Sequence, residues 1–305
     1  MHSFIILFIS LIAFLPSFGQ NSKVPKANID SSELLKTAIE LYKNGKLELV
    51  DSIGKILISL DSSNYSGYGL RASYFKSIEK YDSAIYYANQ ANALLDFFST
   101  RLEVAKLYRK LGKDLLQLKE INRAIYLEKY LGRASLLDLV WRGVIPSTDT
   151  LIFDPYRQNI ALKARKDWYW EHHQYDSALS DMQEIVKFQP YANYYYEYGK
   201  MQYELGKYKL AIDQFDKALN VDNHILKDST SLYAYKASAL GKLGNSKDAL
   251  WLYRATRIHI GTNDTFYYLR GWTFWDLGEK DSACSNWLQA IKLGMEIPEY
   301  KINCK

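Results

Sequence analysis

A segment of about 34 residues recurs along this chain, and no other feature of the sequence constrains the fold as much. Residues 206–218 read Gly-Lys-Tyr-Lys-Leu-Ala-Ile-Asp-Gln-Phe-Asp-Lys-Ala. Residues 278–290 read Gly-Glu-Lys-Asp-Ser-Ala-Cys-Ser-Asn-Trp-Leu-Gln-Ala, and 79–91 read Glu-Lys-Tyr-Asp-Ser-Ala-Ile-Tyr-Tyr-Ala-Asn-Gln-Ala. Aligned on the central small residue, the equivalent positions are Val50, Ala84, Gln117, Ala178, Ala211, Ala249 and Ala283, with steps of 34, 33, 61, 33, 38 and 34. The step of 61 is one period plus an insertion, and the step of 38 is one period plus a few residues. A period of this length with helical patterning on both sides of a turn predicts helical hairpins, each unable to bury its apolar face alone.

Offsets of three and four keep residues on one helical face. In the last copy Tyr267, Gly271 and Phe274 share a stripe of the first helix, and Ala283, Trp287 and Ala290 share one on the second. Small residues let the two helix axes approach, and aromatics fill the remaining space. A Gly before the second helix allows the tight turn, with Glu79 and His173 in its place in two copies. Asp-Ser follows the turn at Asp82-Ser83, Asp176-Ser177 and Asp281-Ser282, where residues of the first turn are expected to cap free N–H groups and to suit the helix dipole. With 16 Gly and 6 Pro in 305 residues, the chain lacks the turn residues of an all-β fold. Its 48% hydrophobic content excludes disorder, and a net charge of +5 is too mild to argue for nucleic acid.

These residues together resemble the tetratricopeptide repeat family, over about residues 31–297 apart from the insertion. The family alternates a bulky residue, Gly or Ala, an aromatic, Gly, Ala, an aromatic and Ala. The fifth unit carries Tyr195, Gly199, Gly206, Ala211, Phe215 and Ala218; the sixth, Tyr233, Ala237, Gly244, Ala249 and Tyr253. The fourth has Leu162, Lys166, Tyr169, His173, Ala178, Met182 and Pro190; the second has Tyr68, Ala72, Phe75, Ala84 and Ala88. The first and third units depart at Val50, Gly54 and Gln117. The resemblance implies an all-α fold, with hairpin repeats stacked into a right-handed superhelix, an α-solenoid. Three repeats would occupy residues 32–128 and four would occupy 156–297. Residues 129–155 break the period, either as a degenerate repeat or as a flap.

The ends read differently. Phe4 to Phe14 is nearly all apolar, Pro16 interrupts the run, and Ser17-Phe18-Gly19 offers small residues for cleavage. Residues 1–19 therefore read as a secretory signal peptide, followed by a polar lead-in over 20–31. No later stretch approaches eighteen apolar residues, so no membrane span is expected. The expected location is outside the cytoplasm, periplasmic or secreted. Cys284 and Cys304 are the two cysteines, and an even count in an exported chain points to a disulfide. It would pin the tail, 298–305, to the last helix; similar endings recur in envelope members of the resembled family.

The sequence holds no phosphate loop, nucleophile elbow, zinc-protease or Cys-x-x-Cys motif. Glu171-His172-His173 has no partners at metal-ligand spacing. The chain accordingly reads as non-catalytic, with no cofactor and no metal. In the resembled family, unit positions 2, 5, 9, 12 and 13, counting Ala283 and its equivalents as position 20, line a concave groove. That implies Lys106, Arg109 and Lys110 in the third unit, and Lys163, Asp167, Trp170 and Glu171 in the fourth. The fifth gives Asn193, Tyr196, Lys200, Tyr203 and Glu204, and the seventh gives Thr265, Tyr268, Trp272, Trp275 and Asp276. Tyr and Trp dominate binding hot spots. The expected partner is a protein or extended peptide of the bacterial envelope, with a glycan stacked on the same rings as the alternative.

Overall fold

The computed structural model describes residues 30–130, 159–221, 229–256, 263–297 and 304. Among these, fourteen α-helices occur and no strand. They run in chain order as α1 (Ser31–Lys43), α2 (Leu47–Leu60), α3 (Tyr65–Ser77), α4 (Tyr81–Leu94), α5 (Phe98–Lys110), α6 (Asp114–Tyr130) and α7 (Ile160–Glu171). The remainder are α8 (Tyr175–Phe188), α9 (Ala192–Glu204), α10 (Tyr208–Asn220), α11 (Ser229–Lys242), α12 (Ser246–Ala255), α13 (Asp264–Asp276) and α14 (Lys280–Lys292). Consecutive helices pair as seven hairpins, each holding one of the seven aligned positions. The leader, nearly all of the lead-in, the insertion beyond residue 130, and the tail apart from Cys304 lie outside the described residues.

The helices form where apolar residues recur at helical spacing. In α10, Ala211, Phe215 and Ala218 are buried while Asp213 and Lys217 face solvent. All seven aligned positions are buried, including the departures Val50 (0% exposed) and Gln117 (7%). Gln117 is a buried polar chain on a face that otherwise carries Ile121 and Ala124.

Every turn inside a hairpin has one geometry. Its second helix begins after a residue with positive φ: Gly45, Glu79, Gly112, His173, Gly206, Gly244 and Gly278. The following backbone N–H reaches back to a carbonyl five residues earlier, as Lys207 does to Gln202 (2.8 Å) and Lys80 to Phe75 (2.9 Å). This closure satisfies carbonyls that the first helix would leave open.

The Asp-Ser pairs fall in the first turn of their helices, as expected, with Asp82, Asp176 and Asp281 as the acidic residues there. In α8 and α14 the residues in cap position are Gln174 and Glu279, and neither makes a side-chain cap hydrogen bond. Asp176-Ser177 and Asp281-Ser282 stand two and three places past the cap position. What they supply is negative charge in the first turn, which favours the helix dipole.

The chain divides into two compact units, Met1–Leu94 and Leu95–Lys305, whereas the sequence breaks at the insertion. The first unit holds a core of Ala38, Ile53 and Leu57 joined by Leu34, Leu41 and Leu70. There Gly54 stands where other copies carry an aromatic. A Cβ on it would meet the Gly67 carbonyl at 2.9 Å, so α2 and α3 touch backbone to backbone. In the second unit each core cluster bridges neighbouring hairpins. Leu102, Ile121 and Ala124 pack with Ala161 and Trp168; Met182 and Ile185 with Met201; Phe215 with Leu232; Tyr253 with Phe266 and Leu269. Sharing the apolar face between neighbours is what holds the stack.

The chain enters α7 with Asn159 in left-handed conformation and no cap of its own. Glu128 of α6 supplies the acceptors, taking the N–H of Ile160 (3.1 Å) and of Ala161 (3.2 Å). Burial raises the Glu128 carboxyl above its ordinary value, against the pull of these backbone donors.

Candidate binding face

The candidate residues lie on first helices of the second unit, α5, α7, α9 and α13, with α11 between the last two. Side-chain contacts tie these helices in sequence. Arg109 of α5 donates to Glu171 of α7 at 2.7 Å. Lys166 of α7 pairs with Glu197 of α9. Tyr196 of α9 lies 6.1 Å, ring to ring, from Tyr235 of α11. Gly241 of α11 faces Thr273 of α13.

On α7, Lys163 is half-buried, its ammonium against the hydroxyl of Tyr194 and 4.2 Å from that ring's centre. Trp170 is half-buried and edges onto Tyr175 at 5.0 Å. Lys166 occupies the close-packing position taken by Gly or Ala elsewhere. It is 6% exposed, and Asp167 (2.7 Å) and Glu197 neutralise it, so its pKa is raised although burial alone would lower it.

On α9, Tyr196 is half-buried and Lys200 projects over two rings, 5.6 Å from Tyr196 and 5.4 Å from Tyr235. Tyr203 turns inward: its hydroxyl meets Ser238 Oγ at 2.7 Å and its ring abuts Tyr235 at 5.3 Å. Burial pushes its phenol well above the usual value, and pushes that of Tyr235 up to about 12. Glu204 is exposed; partial burial still raises its carboxyl, against the nearby Lys200 charge.

On α13, Tyr268, Trp272 and Trp275 are half-buried. Trp272 sits 6.3 Å from Tyr268, and both tryptophans lean on the buried indole of Trp287, at 4.8 Å and 5.6 Å. Lys280 covers the Trp275 ring at 5.7 Å.

The structure thus brings Tyr196, Lys200, Tyr203, Tyr268 and Trp272 into one aromatic sector centred on α11, with Trp275 next along α13 against Trp287. Lys163 and Trp170 stand on the neighbouring α7. Sequence reasoning left out Tyr235, which lies at none of the groove positions of its unit. The available signal was the small face of α11, where Ser231, Ala234, Ser238 and Gly241 occupy those positions and make room for rings from both sides.

The two histidines are engaged locally. His172 stacks on Trp168 at 3.9 Å, with Asp114 3.4 Å from its Nε2, and His173 Nδ1 lies 2.7 Å from the Tyr175 hydroxyl. His173, Tyr175 and Lys207 border an open dent of about 390 Å³ at the turns of the fourth and fifth hairpins. No group of three or more metal-ligating side chains gathers among the described residues. At the end of the chain, Cys284 of α14 and Cys304 are joined by a disulfide.

No family model matches the chain, and no curated protein does. Solved structures do. One is described as Naa15/Naa10 bound to HypK-THB, with a TM-score of 0.52 and 13% identity over 88% of this chain and 38% of that one. Another is the assembly chaperone of RpL4, Acl4, at TM-score 0.51 and 16% identity, over 84% of this chain and 100% of that one. A tetratricopeptide repeat protein from Parabacteroides merdae aligns at TM-score 0.49 and 17% identity, over 89% of this chain and 96% of that one. At such identities the likeness is one of fold. The fold is of the tetratricopeptide-repeat type, an all-α array of stacked hairpins.

Proposed function

We propose that this chain is a non-catalytic scaffold of the bacterial cell envelope that holds a protein segment or extended peptide against the first helices of its second unit. One observation carries the reading. Tyr196, Tyr268, Trp272 and Trp275 stand half-exposed on the candidate face, while Phe215, Phe266 and Trp287 are fully buried behind it. Partly exposed aromatics on a rigid, close-packed base bury large area on binding at little entropic cost. The structural relative Acl4 is described as an assembly chaperone, which accords with a protein partner. The glycan alternative asks for an open ring face, and Trp272 and Trp275 both turn toward Trp287, so the peptide reading is preferred.

Export is supported by the apolar leader and by the disulfide, a bond at home in oxidising compartments. No helix among the described residues is long and apolar enough to cross a membrane. Intact mass of the exported protein should correspond to a start at Gln20; a chain beginning at Met1 would remove this support. For the face itself, protein bands retained from an envelope extract should be lost on Trp272→Ala and on Tyr196→Ala, with helical circular dichroism unchanged. Retention on a polysaccharide resin instead would transfer the role to the glycan alternative. Bands indifferent to both substitutions would leave the face without a function.

A further inference from the structure

The charges on this face are unevenly engaged. Of its four carboxylates, Asp167 pairs with Lys166 (2.7 Å), Glu171 with Arg109 (2.7 Å) and Asp276 with Lys242 (2.6 Å). Only Glu204 has no ion pair among the described residues. Three cations on the same face, Lys110, Lys163 and Lys200, have no carboxylate within ion-pairing distance among the described residues, although Glu128 is felt by Lys163 at longer range and Glu204 by Lys200. The uncommitted charge is therefore positive, on a face whose rings are aromatic.

Lys200 is the most informative of the three. It is half-buried, its ammonium lies over two tyrosine rings, and no acceptor among the described residues takes any of its N–H donors. A lysine in this setting has lost part of its hydration and gained in return the ring quadrupoles and the longer-range pull of Glu204. A carboxylate arriving beside it would form a charge-assisted hydrogen bond where water is partly excluded, and there such a bond is strongest. We infer that the peptide this face takes is acidic, with a carboxylate side chain meeting Lys200 between Tyr196 and Tyr235, and further acidic residues toward Lys163 and Lys110. The inference rests on the scaffold reading and adds the chemistry of the partner to it. A basic partner would find Glu204, and Asp264 at the start of α13, without an ion pair among the described residues, but would bring its charge against Lys200; a neutral one would leave Lys200 partly desolvated and without an acceptor.

The test uses the whole mature chain and three short fluorescent peptides that alternate Tyr with Glu, with Gln, or with Lys. Binding is followed by fluorescence anisotropy. The Glu peptide should bind about tenfold more tightly than its Gln isostere, and the advantage should shrink as salt rises. Lys200→Gln should remove most of the advantage while Lys200→Arg keeps it, and the exposed Lys110→Gln should trim it by about twofold. Equal affinity for the Glu and Gln peptides, both weakened by Tyr196→Ala, would overturn the acidic preference and leave the peptide-binding face standing. A Glu advantage that survives Lys200→Gln intact would overturn the role given to Lys200. No binding of any of the three peptides would sink both the inference and the peptide reading.

Discussion

Gly271 and Trp287 are in such close apposition that a Cβ built on Gly271 would lie 2.5 Å from the indole Nε1 and 2.6 Å from Cδ1. They belong to the two helices of the last hairpin, sixteen residues apart. The same spacing sets Gly199 against Phe215, with a Cβ 2.5 Å from the ring. It recurs one step earlier along the helices, where Arg165 grips Asp181 (2.7 and 2.9 Å) and Arg270 donates to Asn286 (2.6 Å). In the last hairpin the missing side chain of Gly271 is filled by Trp287, with the Arg270–Asn286 tie beside it.

Adding one methyl at Gly271 should therefore force the Trp287 ring out of place and destabilise the protein by about 1–3 kcal/mol. Trp287→Ala should cost ~3–5 kcal/mol, since the ring is fully buried. Gly69, a helical glycine with nothing within 4 Å of its would-be Cβ, is the control. Gly69→Ala should be neutral or stabilising by up to ~1 kcal/mol. Urea titrations of the three variants decide, and a Gly271→Ala protein as stable as the parent refutes the packing.

The turns make a second prediction. Glu79 (φ 58°) and His173 (φ 57°) hold a conformation that five glycines hold elsewhere. Relief of this strain by Glu79→Gly should exceed the added entropy of the unfolded chain and raise stability by about 0.5–1 kcal/mol. His173→Gly should gain less, because the His173–Tyr175 hydrogen bond is lost. The reverse change, Gly112→Ala, should cost ~1 kcal/mol. Thermal midpoints of the three single variants provide the comparison; a loss on Glu79→Gly would show that its side chain is needed at the turn.

The disulfide closes a loop with a sequence separation of 20 residues. In the chain-entropy account this is worth ~3 kcal/mol. Cys304→Ser should lower the unfolding free energy of the last hairpin by about that amount, and reductant should do the same to the parent. Thiol counting on denatured, unreduced protein should find no free thiol; two would remove the bridge.

Two carboxyls give opposite pH dependences. Burial pulls Asp96 upward, but hydrogen bonds from Arg101 (2.6 Å) and Arg123 (2.9 Å) outweigh it and hold its pKa below the ordinary value. The unfolded chain then binds the proton more readily. The stabilisation is complete above about pH 4 and is lost as pH falls through the lower native value. Glu128 is raised by burial, so its share is complete below about pH 4 and is lost as pH climbs through the native value. Unfolding free energies measured from acid to neutral pH should show the gap between parent and Asp96→Asn narrowing toward acid. The gap between parent and Glu128→Gln should shift in the parent's favour over the same descent. Gaps that stay constant with pH would contradict both.

Much of the fold is legible in the residues because its rules are local. Trp287, Phe215, and the small residues Ala211 and Ala283 fall where a three-four spacing puts them, and all are buried. The turns are equally legible, including the two that lack glycine, because one backbone closure serves every hairpin. The first-turn charge of the Asp-Ser pairs was legible, whereas the cap position itself falls two residues before each Asp, on Gln174 and Glu279.

What the candidate face exposes was not legible. Tyr203 and Trp275 stand at equivalent places in their repeats, yet Tyr203 hydrogen-bonds Ser238 while Trp275 rests half-open against Trp287. Nor could spacing along one helix reveal that Glu128 would cap a helix starting thirty-two residues later, or that Lys166 would be neutralised from α9. The amino-acid order by itself determined the hairpins, their turns and the rings at their centre, because each depends on residues within one or two turns of helix or across one tight bend. Which side chains remain open to a partner, and which charges remain uncommitted, was decided only when neighbouring hairpins came together, since burial and ion pairing there depend on atoms supplied by another part of the chain.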